Sequence, residues 1–455
     1  MTDLATLSAA VDALMPGVQA ELGELVGIPS VYDAAVQPIA ECERAAEWVR
    51  AAFAAEGIDD IRLQETPDGS LAVLGRRAGP AGAPTVLLYS HYDVQPSLGE
   101  DLWQSPPFEL VERDGRWYGR GAADCKGNIV AHLTALRALR DDEGGYPVGL
   151  IVVIEGSEEQ GGGGLEEYVG AHPGEFADAD VVLVMDSGNA APGEPTITST
   201  LRGTANLTVR MRSLEGNVHS GSYGGAAPDA LVALVAMLAS LRNAAGDLTV
   251  AGIDASAVWD GVAYPEERFR ADAGMLPGTE VVGSADIATQ QWARPTITII
   301  GIDAPAVLGS VPAVQASASA RLNLRVPAGV DPDAAQAALI AHIHTHTPWG
   351  VHVEVETEAT GPGFRARTDG PAYRVLAESL ADAFGAERTG TMGNGGSIPL
   401  CTAFQAANPA AEVLLFGVEE PLCLVHAPNE SVNPEEIRAI AIAEALLLAR
   451  LGASA

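Results

Sequence analysis

Residues 148–164 read VGLIVVIEGSEEQGGGG. The unbroken apolar run up to Ile154 reads as a fully apolar strand, of the kind a largely parallel sheet buries on both faces. It ends in Glu155, and shortly afterwards Glu158 and Glu159 stand side by side before four glycines. Adjacent carboxylates repel each other, and glycine gives them no packing support. In open α/β sheets, sites form beyond the carboxyl ends of the strands. The pair therefore directs attention to how the other strands end.

Working outward, PTVLLYSHYDVQP (84–96) is an apolar strand broken by polar residues, and DVVLVMD (180–186) is another. Helical patterns alternate with them. Residues 1–27 form an amphipathic segment stopped near Gly27-Ile28-Pro29, and 40–56 place Ala45, Trp48, Val49, Ala52 and Phe53 on one face. GNIVAHLTALRALR (127–140) repeats the helical spacing through Ile129, Leu133, Leu136 and Arg140. This alternation predicts an α/β layer around a mostly parallel central sheet flanked by helices.

Character changes near residue 195. TITSTLRGTANLTVRMRS (196–213) reads as a Thr-rich, half-exposed strand, and QASASARLNLRVP (315–327) and GVHVEVETEA (350–359) also alternate. Helices fit 228–243 and the stretch from Asp331-Pro332 to about His346. The expectation is an inserted α+β sandwich with helices on one face of an antiparallel sheet. From about 367 the α/β character returns, with a helix at 371–384 and a buried strand at 411–418. A last helix opens at Asn433-Pro434-Glu435-Glu436. The expected organisation is one domain in two pieces, 1–194 and 367–455, interrupted by a second domain at 195–366.

Sixty acids against 26 bases give a net charge of −34, which argues against nucleic acid and anionic membranes as partners. No apolar run approaches the ~20 residues of a membrane helix. The start, MTDLATLSAAVDAL, lacks the pattern of a signal peptide, so a cytoplasmic place is expected. Cys42, Cys125, Cys401 and Cys423 form no CxxC and read as buried free thiols.

The polar residues fall at strand ends. VLLY runs into Ser90-His91-Tyr92-Asp93, IVVI into Glu155-Gly156-Ser157-Glu158-Glu159, and VVLVM into Asp186-Ser187-Gly188. YGRGAADCKG (118–127) is a Gly-rich turn that sets Asp124 just before a helix, and LVHAPNE (424–430) adds His426. Any one of these is more often a hydrogen-bonding group or a helix cap than a ligand. Two histidines and three carboxylates at one sheet edge instead suit one zinc ion or a zinc pair.

These motifs carry a resemblance. SHYDVQP, DGRWYGRGAADCKG, EGSEEQGG, LRGTANLTV, VHSGSYGG, GGSIP and VHAPNE occur in the order of the co-catalytic zinc aminoacylase/carboxypeptidase family. That family includes acetylornithine deacetylase, succinyl-diaminopimelate desuccinylase and the carnosinase-like dipeptidases, and HYDVQP and WYGRG resemble the last branch most closely. The resemblance covers most of the chain. It implies a zinc-peptidase catalytic domain and an inserted lid that also makes a homodimer. It further implies two divalent metal ions per subunit, zinc first, with manganese or cobalt as alternatives.

Carried over residue by residue, the resemblance makes Asp124 the bridge between the metals. His91 and Asp186 complete one metal, and Glu159 and His426 the other. Asp93 orients the His91 imidazole. Glu158 is the general base, which moves a proton from water to the leaving amine. His219, in Asn217-Val218-His219-Ser220-Gly221, stabilises the oxyanion, reaching the partner subunit's site in a dimer. Arg325 holds the substrate's free carboxylate. Ser310 is a further substrate contact, and Gly395, Gly396 and Ser397 line the same pocket.

Two positions depart from the pattern. Cys125 stands where close relatives often carry an acid. Asn394 does so too, which bears on recognition of a free substrate amine. His342, His344 and His346 look like a metal tract but lack a carboxylate, and read as an exposed helix end. Lys126, the one lysine, reads as a structural contact in the Gly-rich turn. The implied activity is cleavage of the amide of a dipeptide or similar small peptide. An N-acyl amino acid deacylase or a carboxypeptidase is the alternative, and Asp186 favours the dipeptidase. A non-catalytic relative would have lost the base or a ligand, and none is missing.

Overall fold

The structure, a computed structural model, describes residues 3–140, 145–161 and 163–453. Residues 1 and 2 of the expected first helix and Gly162 of the glycine run lie outside them. The chain divides into two compact units. The first comprises Met1–Ser199, Ala366–Met392 and Pro399–Ala455, and the second Thr200–Arg365 with Gly393–Ile398.

The sheet of the first unit runs in the order Arg62–Glu65, Leu71–Arg77, Gly149–Glu155, Thr85–His91, Val181–Met185, Glu412–Phe416, Thr196–Leu201. Its four middle strands, from Gly149–Glu155 to Glu412–Phe416, are parallel, and antiparallel strands flank them. All side chains of Gly149–Glu155, Val181–Met185 and Glu412–Phe416 are buried, as their continuous apolar character requires. The register sets His91 opposite Glu155 and Met185 opposite Phe416, so the strands stop at a common edge.

Helices close the layer. Leu4–Val26 is capped by Asp3, whose carboxylate accepts from Thr6 N at 2.8 Å, and it buries Leu7, Val11, Val18, Leu22 and Leu25. Lys126–Leu139 and Pro434–Ala453 pack together and are buried nearly all round. Between them His132 Nδ1 meets Glu444 Oε1 at 2.8 Å, both side chains fully buried. All four cysteines are free and buried. Among the described residues no helix is long and apolar enough to cross a membrane.

The second unit is an antiparallel sheet in the order Thr296–Asp303, Ser317–Val326, Gly203–Arg212, His352–Gly361. Alternation decides its faces. Ala205, Leu207, Val209 and Met211 point into one core with Ala318, Ala320, Leu322 and Leu324. Helices Ala230–Ala239 and Pro332–His346 cover that face through Leu234, Met237, Leu339 and Ile343. Asp229 and Asp331 cap them with side-chain acceptors.

The reading of 196–213 as one half-exposed strand is corrected. Thr196–Leu201 is fully buried in the large sheet, and only Gly203–Arg212 alternates. Threonine misleads here because its hydroxyl can be satisfied inside: Thr198 Oγ1 meets Ser187 Oγ at 2.6 Å, and Thr196 Oγ1 accepts from Ala190 N at 2.9 Å. Between residues 244 and 295, where no element was expected, the chain forms a short helix, Glu266–Asp272. An aromatic group of Trp259, Tyr264 and Trp292 lies beside it.

Candidate metal centre

Each donor stands where a regular element ends. His91 is the last residue of its strand, and Asp186 follows Val181–Met185. Glu158 and Glu159 open a 3-10 turn after Gly149–Glu155, and Asp124 closes the Gly-rich turn before Lys126–Leu139. His426 lies in the loop after Glu412–Phe416, at φ +64°.

These side chains converge. His91 Nε2 lies 2.9 Å from Asp124 Oδ1 and 3.1 Å from Asp186 Oδ1. His426 Nε2 lies 2.9 Å from Asp124 Oδ2 and 3.0 Å from Glu159 Oε2. Two donor sets thus form, the first with the Cys125 thiol also within reach, and each uses a different oxygen of Asp124. The arrangement fits divalent cations on its own chemistry. Imidazole nitrogen and carboxylate oxygen are the donors zinc and manganese take. Glu159 Oε1 is buried with no hydrogen-bond partner, and such an atom is costly unless a cation or donor meets it. Hydrogen bonds to Asp124 and Glu159 push the His426 imidazole up to about 11, which shows how strongly these carboxylates call for positive charge.

Asp93 explains why two glutamates stand together. Its Oδ1 accepts from Glu158 N at 3.1 Å and its Oδ2 from Glu159 N at 3.0 Å, which fixes the turn that carries both. His91 Nδ1 lies 3.1 Å from the Asp93 carbonyl oxygen and 3.4 Å from Oδ1, leaving Nε2 to face the donor set. Gln95 Nε2 donates to Glu159 O and Oε2 at 2.9 and 3.0 Å. Glu159 is thereby held from two sides. Burial, followed by the Asp186 carboxylate, pushes the Glu158 carboxyl well above its usual range, which favours a proton acceptor over a permanent anion. Gly156 is required, since a Cβ there would meet the Tyr92 hydroxyl at 2.1 Å.

Sequence reasoning missed the support beneath Asp124. Glu430 accepts from Arg120 Nη1 at 2.7 Å and from the backbone N–H of Gly121, Ala123 and Asp124 at 3.0–3.1 Å. Arg120 Nη2 donates on to Pro96 O and Ala427 O. The pair therefore joins the turn bearing Asp124 to the loop bearing His426. Its residues sit inside WYGRG and VHAPNE, but backbone partners leave no side-chain pattern to read.

The other sequence candidates separate. Burial pushes the Cys125 thiol up to about 12, and its Sγ donates to Met185 O at 3.0 Å, so it acts as a buried donor. Lys126 is fully buried, and its Nζ donates to Leu25 O and Ile28 O. His219, Ser310, Arg325 and Asn394 to Ser397 lie in the second unit. His219 is exposed on a short strand paired with Ala313, and exposed Ser310 donates to Val307 O. Asn394 Oδ1 accepts from Gly396 N at 2.9 Å. The exposed-end reading of the histidine tract holds for His344 and His346, which are exposed in the last turn, and is corrected for His342, which is 6% exposed, bonded to Ser240 Oγ at 2.9 Å and stacked on His346. Helix packing buries it, and no carboxylate joins it in a metal cluster among the described residues.

Residues 87–450 match the peptidase family M20/M25/M40. A cysteinylglycine-S-conjugate dipeptidase of Corynebacterium striatum is 44% identical over 413 residues, 90% of each chain. The human β-Ala-His dipeptidase is 27% identical over 82% of this chain and 77% of its own. The fold is shared with the dipeptidase Dug1p from Saccharomyces cerevisiae, with TM-score 0.83 at 22% identity over 100% and 99% of the two chains.

Proposed function

The chain belongs to peptidase family M20/M25/M40, and from that premise we propose that it hydrolyses the amide bond of dipeptides, using two divalent cations. It is a metal-dependent peptidase whose similarity to a dipeptidase extends over nine-tenths of its length. The observation that carries the reading is the sharing of Asp124 between two histidine–carboxylate sets. His91, Asp124 and Asp186 would hold one cation, and Asp124, Glu159 and His426 the other. Zinc suits these donors first, with manganese or cobalt as substitutes.

Bound there, the cations would polarise the scissile carbonyl and lower the pKa of water towards neutrality. The chain does the rest. Glu158, raised by burial beside Asp186, takes the proton of the attacking water on its carboxylate and passes it to the leaving amine nitrogen. Asp93 holds the Glu158 and Glu159 amides and keeps the His91 ring in one tautomer. His219 supplies a hydrogen bond to the oxygen that gains charge, and Arg325 takes the substrate carboxylate. Ser310 and Asn394 to Ser397 serve as substrate contacts, and the second unit serves as the lid.

A homodimer through the second unit is supported by Thr296–Asp303, an edge strand that exposes Ile299, Ile300 and Ile302 by 46–49%. Free, buried cysteines suit a reducing compartment, in keeping with a cytoplasmic place. The test is a panel of free dipeptides, N-acetyl amino acids and N-succinyl-diaminopimelate, assayed with metal and after chelation. Metal-dependent preference for dipeptides supports the reading. Preference for the acylated substrates would replace it with a deacylase and make Asn394 the mark of a lost amine contact.

A further inference from the structure

Arg202 follows directly on the strand Thr196–Leu201, and its amide N–H donates to Gly396 O at 3.1 Å. The side chain is only 8% exposed. Nη1 donates to Thr296 Oγ1 at 2.9 Å, while Nε is buried with no partner. Thr296 pairs directly across the strands with Arg325, so its side chain and that of Arg325 share a face. The two guanidinium groups are therefore neighbours. Burial, followed by the charge of Arg325, brings Arg202 down to about 10, and burial lowers Arg325 as well.

No carboxylate among the described residues meets either arginine. This is unusual in a chain with 60 acids and a net charge of −34. Burying one cation without a counter-charge is costly, and the half-buried Arg325 guanidinium beside it adds to that cost. Elsewhere in the protein Arg50, Arg321 and Arg438 each hold a carboxylate through Nε and Nη2 together. In Arg202 that same two-pronged edge is free. Space for an occupant is kept by Gly395. A Cβ there would lie 2.7 Å from Nη2, at the distance of a hydrogen-bonded oxygen.

We propose that Arg202 is a second arginine of the carboxylate site already given to Arg325, binding the substrate's free carboxylate through its Nε and Nη2 edge in the clearance left by Gly395. This deepens the dipeptidase reading and rests on it only for the identity of the carboxylate's owner. A carboxylate would satisfy the orphaned Nε–H and neutralise charge that the apo protein carries uncompensated. Specificity then follows from the cost of leaving that site empty, so substrates without a free carboxylate are rejected.

The experiment uses the full metal-loaded chain and the variants Arg202→Gln, Arg325→Gln and Gly395→Ala. Binding of N-acetylglycine and N-acetylglycinamide is measured by calorimetry, and kcat and KM are measured for a dipeptide and its C-terminal amide. The wild type is expected to bind N-acetylglycine at least tenfold more tightly than the amide. Each variant should lower that preference, and the matching kcat/KM ratio, about tenfold, chiefly through KM. Arg202→Gln should leave the ligand-free Tm equal or higher, because it removes an uncompensated buried charge. A lower Tm with equal loss on both substrates would assign Arg202 a structural role and overturn the proposal. So would dipeptide cleavage whose carboxylate preference ignores Arg202. Retained, Arg202-dependent binding of N-acetylglycine without any dipeptide cleavage would uphold the subsite and overturn the dipeptidase reading instead.

Discussion

Glu430→Gln perturbs the site without touching a donor. The carboxylate joins one guanidinium and three backbone N–H groups, and its side chain and that of Arg120 are each 1% exposed. An amide of the same shape keeps one acceptor oxygen and turns an NH2 group towards donors. At least one hydrogen bond to a charged group is lost, a cost of about 1.5–3 kcal/mol. Because Gly121, Ala123 and Asp124 hang on the same carboxylate, that cost falls on the conformation that presents Asp124 to both donor sets. At about 1.4 kcal/mol per tenfold, metal affinity should weaken roughly tenfold to a hundredfold. Glu430→Ala, which strands a buried Arg120, should cost about 3–5 kcal/mol of stability. Chelator competition reads the first effect and denaturant unfolding the second. Affinity within threefold of wild type in Glu430→Gln, with an unchanged unfolding midpoint in Glu430→Ala, would show that Glu430 does not hold Asp124 in place.

Asp93→Ala removes the acceptor for two turn amides and a partner of His91, and should weaken metal binding about tenfold to a hundredfold by the same competition assay. His342 gives the second unit an acid sensitivity. Burial, then the neighbouring His346, holds its pKa below the usual value near 6.5, so the unfolded chain takes up the proton first as pH falls. Its contribution to stability is present above about pH 6.5 and is lost below it. His342→Gln should therefore flatten the fall in Tm between pH 7.5 and 5.5, and an unchanged slope would remove His342 as its source. Ile300→Lys places a charge on the exposed edge strand and should shift sedimentation from dimer to monomer. A wild-type monomer would dismiss that interface.

How much was legible depended on who the partner of each residue is. Buried parallel strands are uniformly apolar, so the polar residues just beyond them stood out, and His91, Asp186 and the Glu158–Glu159 pair could be picked out by position, with Asp124 and His426 in nearby turns, while the division into ligands and base came from the family resemblance. Glu430 and Arg202 could not, because what defines them is backbone amides or a missing partner, and neither leaves a pattern of residue types. Thr196–Leu201 and His342 were misread for a related reason. Polar side chains count against burial in a sequence, but Thr198 and His342 each find a hydroxyl inside. The 244–295 segment was silent because its aromatic residues pack locally and show no helical or strand period.

In the proposed mechanism Glu158 moves the proton while its neighbours hold the metal. Glu158→Gln, compared with wild type for metal stoichiometry by elemental analysis and for dipeptide turnover, separates the two. Two metals per chain are expected in both proteins, with turnover lower by about a hundredfold to ten-thousandfold in the variant. Turnover within tenfold of wild type, or metal lost in step with activity, would contradict that mechanism.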